Sequence, residues 1–106
     1  MANPNQIQAN IPAGFHALAE PLRLEIINLL CNQELCVCDL SDRLAIGQSK
    51  LSFHLKILKQ AGLLKSRQDR KWVYYRLDLL GLAKLEDYIR KITQATSLLS
   101  RDSCEL

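Results

Sequence analysis

Apolar residues recur along this chain at helical spacing almost throughout, and switch to a strand pattern in one place only. Ile7, Ile11, Phe15 and Leu18 are separated by four, four and three positions, which predicts an amphipathic helix over about 13–19, with room for an earlier start. The polar residues 1–12, with two prolines, read as frayed or loosely docked. Pro21 suits the first position of a second helix, whose inner face is Leu22, Ile26, Leu29 and Leu30 and which ends near Cys31 and Asn32. Val37, Leu40 and Leu44 mark a short third helix, followed by a turn at Ala45, Ile46 and Gly47. A fourth helix is predicted over 48–61, stopped by Gly62. Leu51, Leu55 and Leu58 share its inner arc, with Ser49, Ser52, Phe53, Lys56, Lys59 and Gln60 opposite.

The strand pattern follows. Residues 63–68 and 72–77 read as two strands, the second rich in aromatic side chains, and Asp69, Arg70 and Lys71 form a polar tip between them. Two strands alone are marginal, so this hairpin must lie on the helices. A last helix spans about 79–100, with Leu82, Leu85, Ile89, Ile92, Thr96 and Leu99 alternating by three and four. So small a core cannot use the whole seam, and Leu82, Leu85, Ile89, Ile92 and Leu99 are expected to meet a second copy. The expected fold class is mainly α (α+β): a winged helix-turn-helix of about five helices with a two-stranded β-hairpin wing, a homodimer through its terminal helices. Residues 1–106 form one domain in this reading, with the helix-turn-helix over about 36–61, the wing over about 63–77 and the dimerisation helix over about 79–100.

Charge sharpens the picture. The net charge of +3 is ordinary, but residues 48–76 hold eight Lys or Arg and one acid, Asp69. One contiguous basic segment is the footprint of a phosphate-binding surface. In a helix-turn-helix the start of the second helix enters the major groove, which nominates Gln48, Ser49, Lys50, Ser52 and Phe53. Gln48 is suited to bidentate pairing with adenine and the serines to bases or phosphates. Phe53 either touches a thymine methyl or packs on a neighbouring Trp or Leu. His54, at the flank of the apolar arc, reads as a half-buried, hydrogen-bonded histidine. Lys56, Lys59, Arg70 and Lys71 read as phosphate contacts. The expected partner is double-stranded operator DNA, met as two half-sites about 34 Å apart. No apolar run approaches the ~18–20 residues that span a bilayer, and the first residues lack a signal-peptide pattern, so no membrane partner and a cytoplasmic location are expected.

Four cysteines, Cys31, Cys36, Cys38 and Cys104, in such a chain favour metal or redox chemistry over structural disulfides. Cys36-Val37-Cys38 is neither a thioredoxin-type pair nor a zinc pattern. Residues two apart on a regular helix point about 200° apart, so both sulfurs grip one ion only if the first turn of helix three is distorted or Cys36 precedes it. Binding is therefore expected to pull that turn out of shape and move the reading helix beside it. Soft sulfur ligands select thiophilic ions. Cys31 is open to two readings, a small core residue or a ligand. No nucleophile–base pair, paired carboxylates or Gly-rich phosphate loop is present, which argues against an enzyme and an organic cofactor.

Glu34-Leu35-Cys36-Val37-Cys38-Asp39-Leu40, then Ser49-Lys50-Leu51-Ser52 with His54-Leu55, Gly62-Leu63-Leu64, and Lys71-Trp72-Val73-Tyr74-Tyr75-Arg76-Leu77 closely resemble the arsenical-repressor (ArsR/SmtB) family over roughly residues 13–80. The resemblance implies a dimeric repressor that leaves its operator when metal binds. Cys36 and Cys38 match the paired helix-three ligands of members that respond to As(III), Sb(III), or Cd(II) and Pb(II). The best-known arsenic sensors carry a third cysteine where this chain has Ser41, so Cys104, or alternatively Cys31, would complete the site. The zinc site of the last helix is absent, since Leu80 stands two residues after Asp78 and no histidine follows His54. A persulfide or redox switch between Cys31 and Cys104 is the alternative signal on the same fold.

Overall fold

The computed structural model describes the backbone of residues 4–103 and the side chains of residues 10–96. The elements run α1 (Pro4–Leu18), α2 (Pro21–Leu29), β1 (Leu35–Cys36), α3 (Val37–Leu44), α4 (Gln48–Gln60), β2 (Leu64–Asp69), β3 (Trp72–Leu77) and α5 (Leu79–Ser103). This mostly helical order with a small sheet matches a winged helix-turn-helix.

The first helix is longer than its apolar spacing predicts, and it takes in residues 4–12 of the stretch expected to fray. Pro12 sits inside it, where the ring forfeits one backbone bond. Ile11, Phe15 and Leu18 pack on the core and Ala17 is fully buried, so the predicted face is the one used. Ile7 lies outside the described side chains. Glu20 caps α2 by accepting from the Arg23 backbone N–H at 3.0 Å, and Pro21 takes the first helical position.

Leu51, Leu55 and Leu58 of α4 are at most 1% exposed and meet Ile26, Leu30, Leu40, Leu63 and Leu64 in one core. The C-terminus of α4 closes with Gly62 at φ 81, its N–H on the Lys59 carbonyl and that of Leu63 on the Leu58 carbonyl. This is the paired bonding that satisfies a helix's last carbonyls and needs a residue tolerant of positive φ.

The wing hairpin carries a third strand on its edge. β2 and β3 pair as predicted, from Leu64 opposite Leu77 to Asp69 opposite Trp72. A third strand, β1, joins the other edge of β3, with Leu35 opposite Tyr75 and Cys36 opposite Tyr74. Two residues are too few for an alternation signal, which is why the pattern of the sequence does not announce this strand. On α5 the apolar stripe divides. Leu85 is buried within this chain, against Gly14 of α1, and Leu82 is partly covered by the core. Ile89 and Ile92 are half exposed, and the side chain of Leu99 lies outside the described residues.

Candidate nucleic-acid interface and thiol pair

Helices α3 and α4 are joined by a tight turn. Ala45 adopts φ 54, the Ala45 N–H donates to the Asp42 carbonyl and the Ile46 N–H to that of Ser41. The Ser41 hydroxyl donates to the Ile46 carbonyl at 2.5 Å. The residue at the third-cysteine position is thus engaged in closing the turn.

Gln48, Ser49, Lys50, Ser52, Phe53 and Lys56 on α4, with Arg70 and Lys71 at the hairpin tip, are all exposed. Phe53 is 59% exposed, with its ring edge-on to His54 at 5.3 Å between centroids. Lys71 holds its ammonium 5.2 Å from the Trp72 ring centre. Lys59 donates to Ser66 Oγ at 2.6 Å, tying α4 to β2.

His54 is hydrogen-bonded as its flank position implies, but buried rather than half-buried. Its Nδ1 lies 3.1 Å from Nη1 of Arg23, which is also buried and donates from Nε to the Ala17 carbonyl at 2.7 Å. Glu20 Oε2 lies 4.0 Å from the same ring nitrogen. Sequence reading missed Arg23, although a signal exists: it stands three and seven positions before the core residues Ile26 and Leu30.

Arg67, one of the eight basic residues of segment 48–76, is not free for phosphate. Its Nε and Nη2 donate to both oxygens of Glu34 at 2.6–3.0 Å, and its guanidinium lies 4.7 Å above the Tyr74 ring. Hydrogen bonding from Arg67 holds the Glu34 carboxyl below its ordinary value of 4.5, and Glu34 in turn raises Arg67. Because the folded carboxyl is the lowered one, the pair's contribution is present above the ordinary value and lost as pH falls through the folded value. The stability difference between the native chain and Glu34→Gln, read by urea unfolding from about pH 7 to pH 3, should hold steady and then vanish only in the acid range. A difference independent of pH would remove this ion pair from the wing's support.

The thiol pair straddles the junction of β1 and α3. Cys36 is buried, extended at φ −82 and ψ 166, and caps α3 without a side-chain hydrogen bond. It therefore lies before the helix. This is the second of the two arrangements that let both sulfurs meet one ion, so the spacing alone does not require α3 to bend. Cys38, the second residue of α3, is half-buried, and its Sγ accepts from Gln48 Nε2 at 3.7 Å. Cys31 is exposed rather than a core residue, with its thiol on the Ile27 carbonyl at 3.5 Å. Among the described residues no three His, Cys, Asp or Glu side chains converge, and Cys31 does not join Cys36 and Cys38 in such a group. Cys104 lies outside the described residues. Two soft donors one residue apart fit a thiophilic centre in part, with a further donor still to come from elsewhere.

Residues 20–66 match the family profile described as bacterial regulatory protein, arsR family. The chain is 48% identical over 65 residues to the arsenical resistance operon repressor of Bacillus subtilis (strain 168), covering 60% of this chain and 62% of that protein's length. It is 43% identical over 76 residues to the transcriptional activator HlyU of Vibrio cholerae, covering 72% of this chain and 70% of HlyU. The solved structure of HlyU from Vibrio cholerae N16961 superposes with a TM-score of 0.67 at 34% identity, covering 84% of this chain and 96% of that one. These relatives are transcriptional regulators and not enzymes. With the α3–α4 unit, the wing and the similarity to HlyU across most of both chains, this protein belongs to the ArsR family of bacterial regulatory proteins.

Proposed function

We propose that this protein is a repressor that binds operator DNA as a dimer and is released when As(III) or Sb(III) occupies Cys36 and Cys38. One observation carries the reading: each cysteine abuts a different element of the reading head. Cys36 stands opposite Tyr74 of the wing strand, and Cys38 accepts from Gln48 at the start of α4. Gln48, Ser49, Lys50, Ser52 and Phe53 would face the major groove, with Lys56, Arg70 and Lys71 on phosphates. The apolar side chains of Ile89 and Ile92, with Tyr88 beside them, support pairing through α5. Each thiol would displace one hydroxide of arsenous acid: an S–As bond forms, S–H and As–O bonds break, water leaves, and nothing is oxidised. Cys104 is the proposed third ligand, with Cys31 as its alternative.

The name of the Bacillus subtilis relative supports the metalloid reading. A thiol-redox signal at Cys31 and Cys104 is the second reading, favoured by the exposure of Cys31. The test is a fluorescence titration of the protein on a duplex it has itself selected from random DNA, without oxygen, using arsenite, antimonite, cadmium, lead and an organic polysulfide. Arsenite or antimonite should release the native chain, while Cys36→Ser and Cys38→Ser should need at least about ten times more, a difference of 1.4 kcal/mol in binding. Release by cadmium or lead alone would change the ion. Release by polysulfide alone, lost in Cys31→Ser, would transfer the signal to the redox pair.

A further inference from the structure

The turn between α3 and α4 leaves little freedom for the two helices to move against each other. Three hydrogen bonds close it, from Ala45 N, Ile46 N and Ser41 Oγ. Buried leucines on both helices, Leu40 and Leu51, lock the faces together. An event at Cys38 is therefore poorly placed to tilt α4 as a body. One exposed side chain does reach from α4 to the Cys38 sulfur: Gln48.

The chemistry of that contact has a direction. A primary amide has two N–H donors on nitrogen and a carbonyl acceptor. Reading adenine uses the carbonyl oxygen and one N–H. In this structure one donor of Gln48 Nε2 points at the Cys38 sulfur, 3.7 Å away. The second N–H and the carbonyl oxygen remain for a base edge. No capping side chain competes for the helix start, because the residue before Gln48 is Gly47, which makes no side-chain bond.

We infer that the Cys38 sulfur orients the Gln48 amide for base reading, so that Gln48 is the positioning residue through which occupation of Cys38 reaches the operator. The inference rests on the proposed DNA-binding function and deepens it. A group bonded to Cys38 sulfur occupies the space beneath the amide and weakens the sulfur as an acceptor. The amide then loses its fixed orientation and part of its adenine contact. Each good bidentate base contact is worth a discrimination of about 5- to 150-fold, the equivalent of 1–3 kcal/mol, so one side chain suffices for a measurable release.

The experiment isolates Cys38. In a Cys31→Ser/Cys36→Ser/Cys104→Ser chain, methyl methanethiolsulfonate converts Cys38 to its methyl disulfide: the thiolate attacks sulfur, an S–S bond forms and methanesulfinate leaves. Operator affinity is measured before and after, in this chain and in the same chain with Gln48→Met. Methionine keeps the length and removes the amide. Basal affinity is expected to fall in Gln48→Met, so the quantity read is the ratio of blocked to free within each chain. The ratio should be about tenfold with Gln48 and less than about twofold with Met. Equal ratios in both chains, or no weakening in either, would overturn the inference. The same comparison with arsenite on chains that retain all four cysteines separates the two levels. Arsenite that leaves both chains on DNA, while methylthiolation discriminates them, refutes the metalloid reading alone. Arsenite that releases both chains by the same factor refutes the role of Gln48 alone.

Discussion

Replacing Gly81 by alanine is expected to cost this protein at least about 3 kcal/mol, the upper part of the range for overpacked sites. A Cβ on Gly81 would overlap the carbonyl oxygen of Gly62, and the nearby atoms are backbone rather than the end of a side chain that could swing aside. Both partners are pinned. Gly62 holds the positive φ that ends α4, and Asp78, whose N–H donates to the Leu63 carbonyl at 2.9 Å, caps α5 through bonds to Leu80 N and Gly81 N. The clash can be relieved only by separating the end of α4 from the start of α5. Thermal unfolding should report a fall of more than about 10 °C for a domain of this size. Two controls grade the effect. Gly62→Ala meets no atom but keeps φ 81, and should cost about 1–2 kcal/mol from the left-handed backbone. Gly47→Ala meets nothing at ordinary φ and should cost less than about 1 kcal/mol, from the preference of a helix start for glycine over alanine. A Gly81→Ala chain as stable as Gly47→Ala would disprove the close approach.

The helices were legible because their apolar residues repeat at short range. Leu51, Leu55 and Leu58 announce a buried face without knowledge of what covers it, and the core confirms them. Ser41 shows the limit of spacing: it marks the absence of a third thiol, but its bond to the Ile46 carbonyl belongs to the folded turn alone. What spacing conceals is pairing over distance. β1 is two residues long and exists because β3 offers an open edge, so its partner stands 38–40 positions away. Glu34 and Arg67 are likewise joined across 33 positions, and no local pattern distinguishes Arg67 from the lysines that remain free. The thiol geometry was half legible for the same reason: spacing leaves open whether Cys36 stands in helix three or before it, and pairing with Tyr74 holds it extended ahead of α3. The basic count over residues 48–76 consequently overstates the phosphate-facing charge, and the reading head is narrower than its composition implies.

Replacing Arg23 by methionine is the second large expected effect, about 2–5 kcal/mol. Methionine fills a similar space, so the loss is polar. Without the guanidinium, His54 Nδ1 and the Ala17 carbonyl each lose their donor inside the core, and a buried group left unsatisfied costs about 1–3 kcal/mol. Arg23→Lys should recover less than half of the loss, because an ammonium on a flexible stem does not reproduce a planar fork spanning two acceptors. Urea unfolding gives these values, and a double-mutant cycle with His54→Leu assigns the share carried by the histidine, expected at about 1 kcal/mol or more for groups in direct contact. The consequence extends beyond stability. Arg23 joins α2, the end of α1 and the inner face of α4, the helix whose outer face carries Gln48, Ser49, Ser52 and Lys56. Loosening it should weaken DNA binding even at temperatures where Arg23→Met remains folded, and should leave unchanged the reactivity of Cys36 and Cys38, the ligands of the proposed metalloid site. Intact operator affinity in a folded Arg23→Met chain would mean that leucine packing alone positions α4, and that the buried arginine serves only the core.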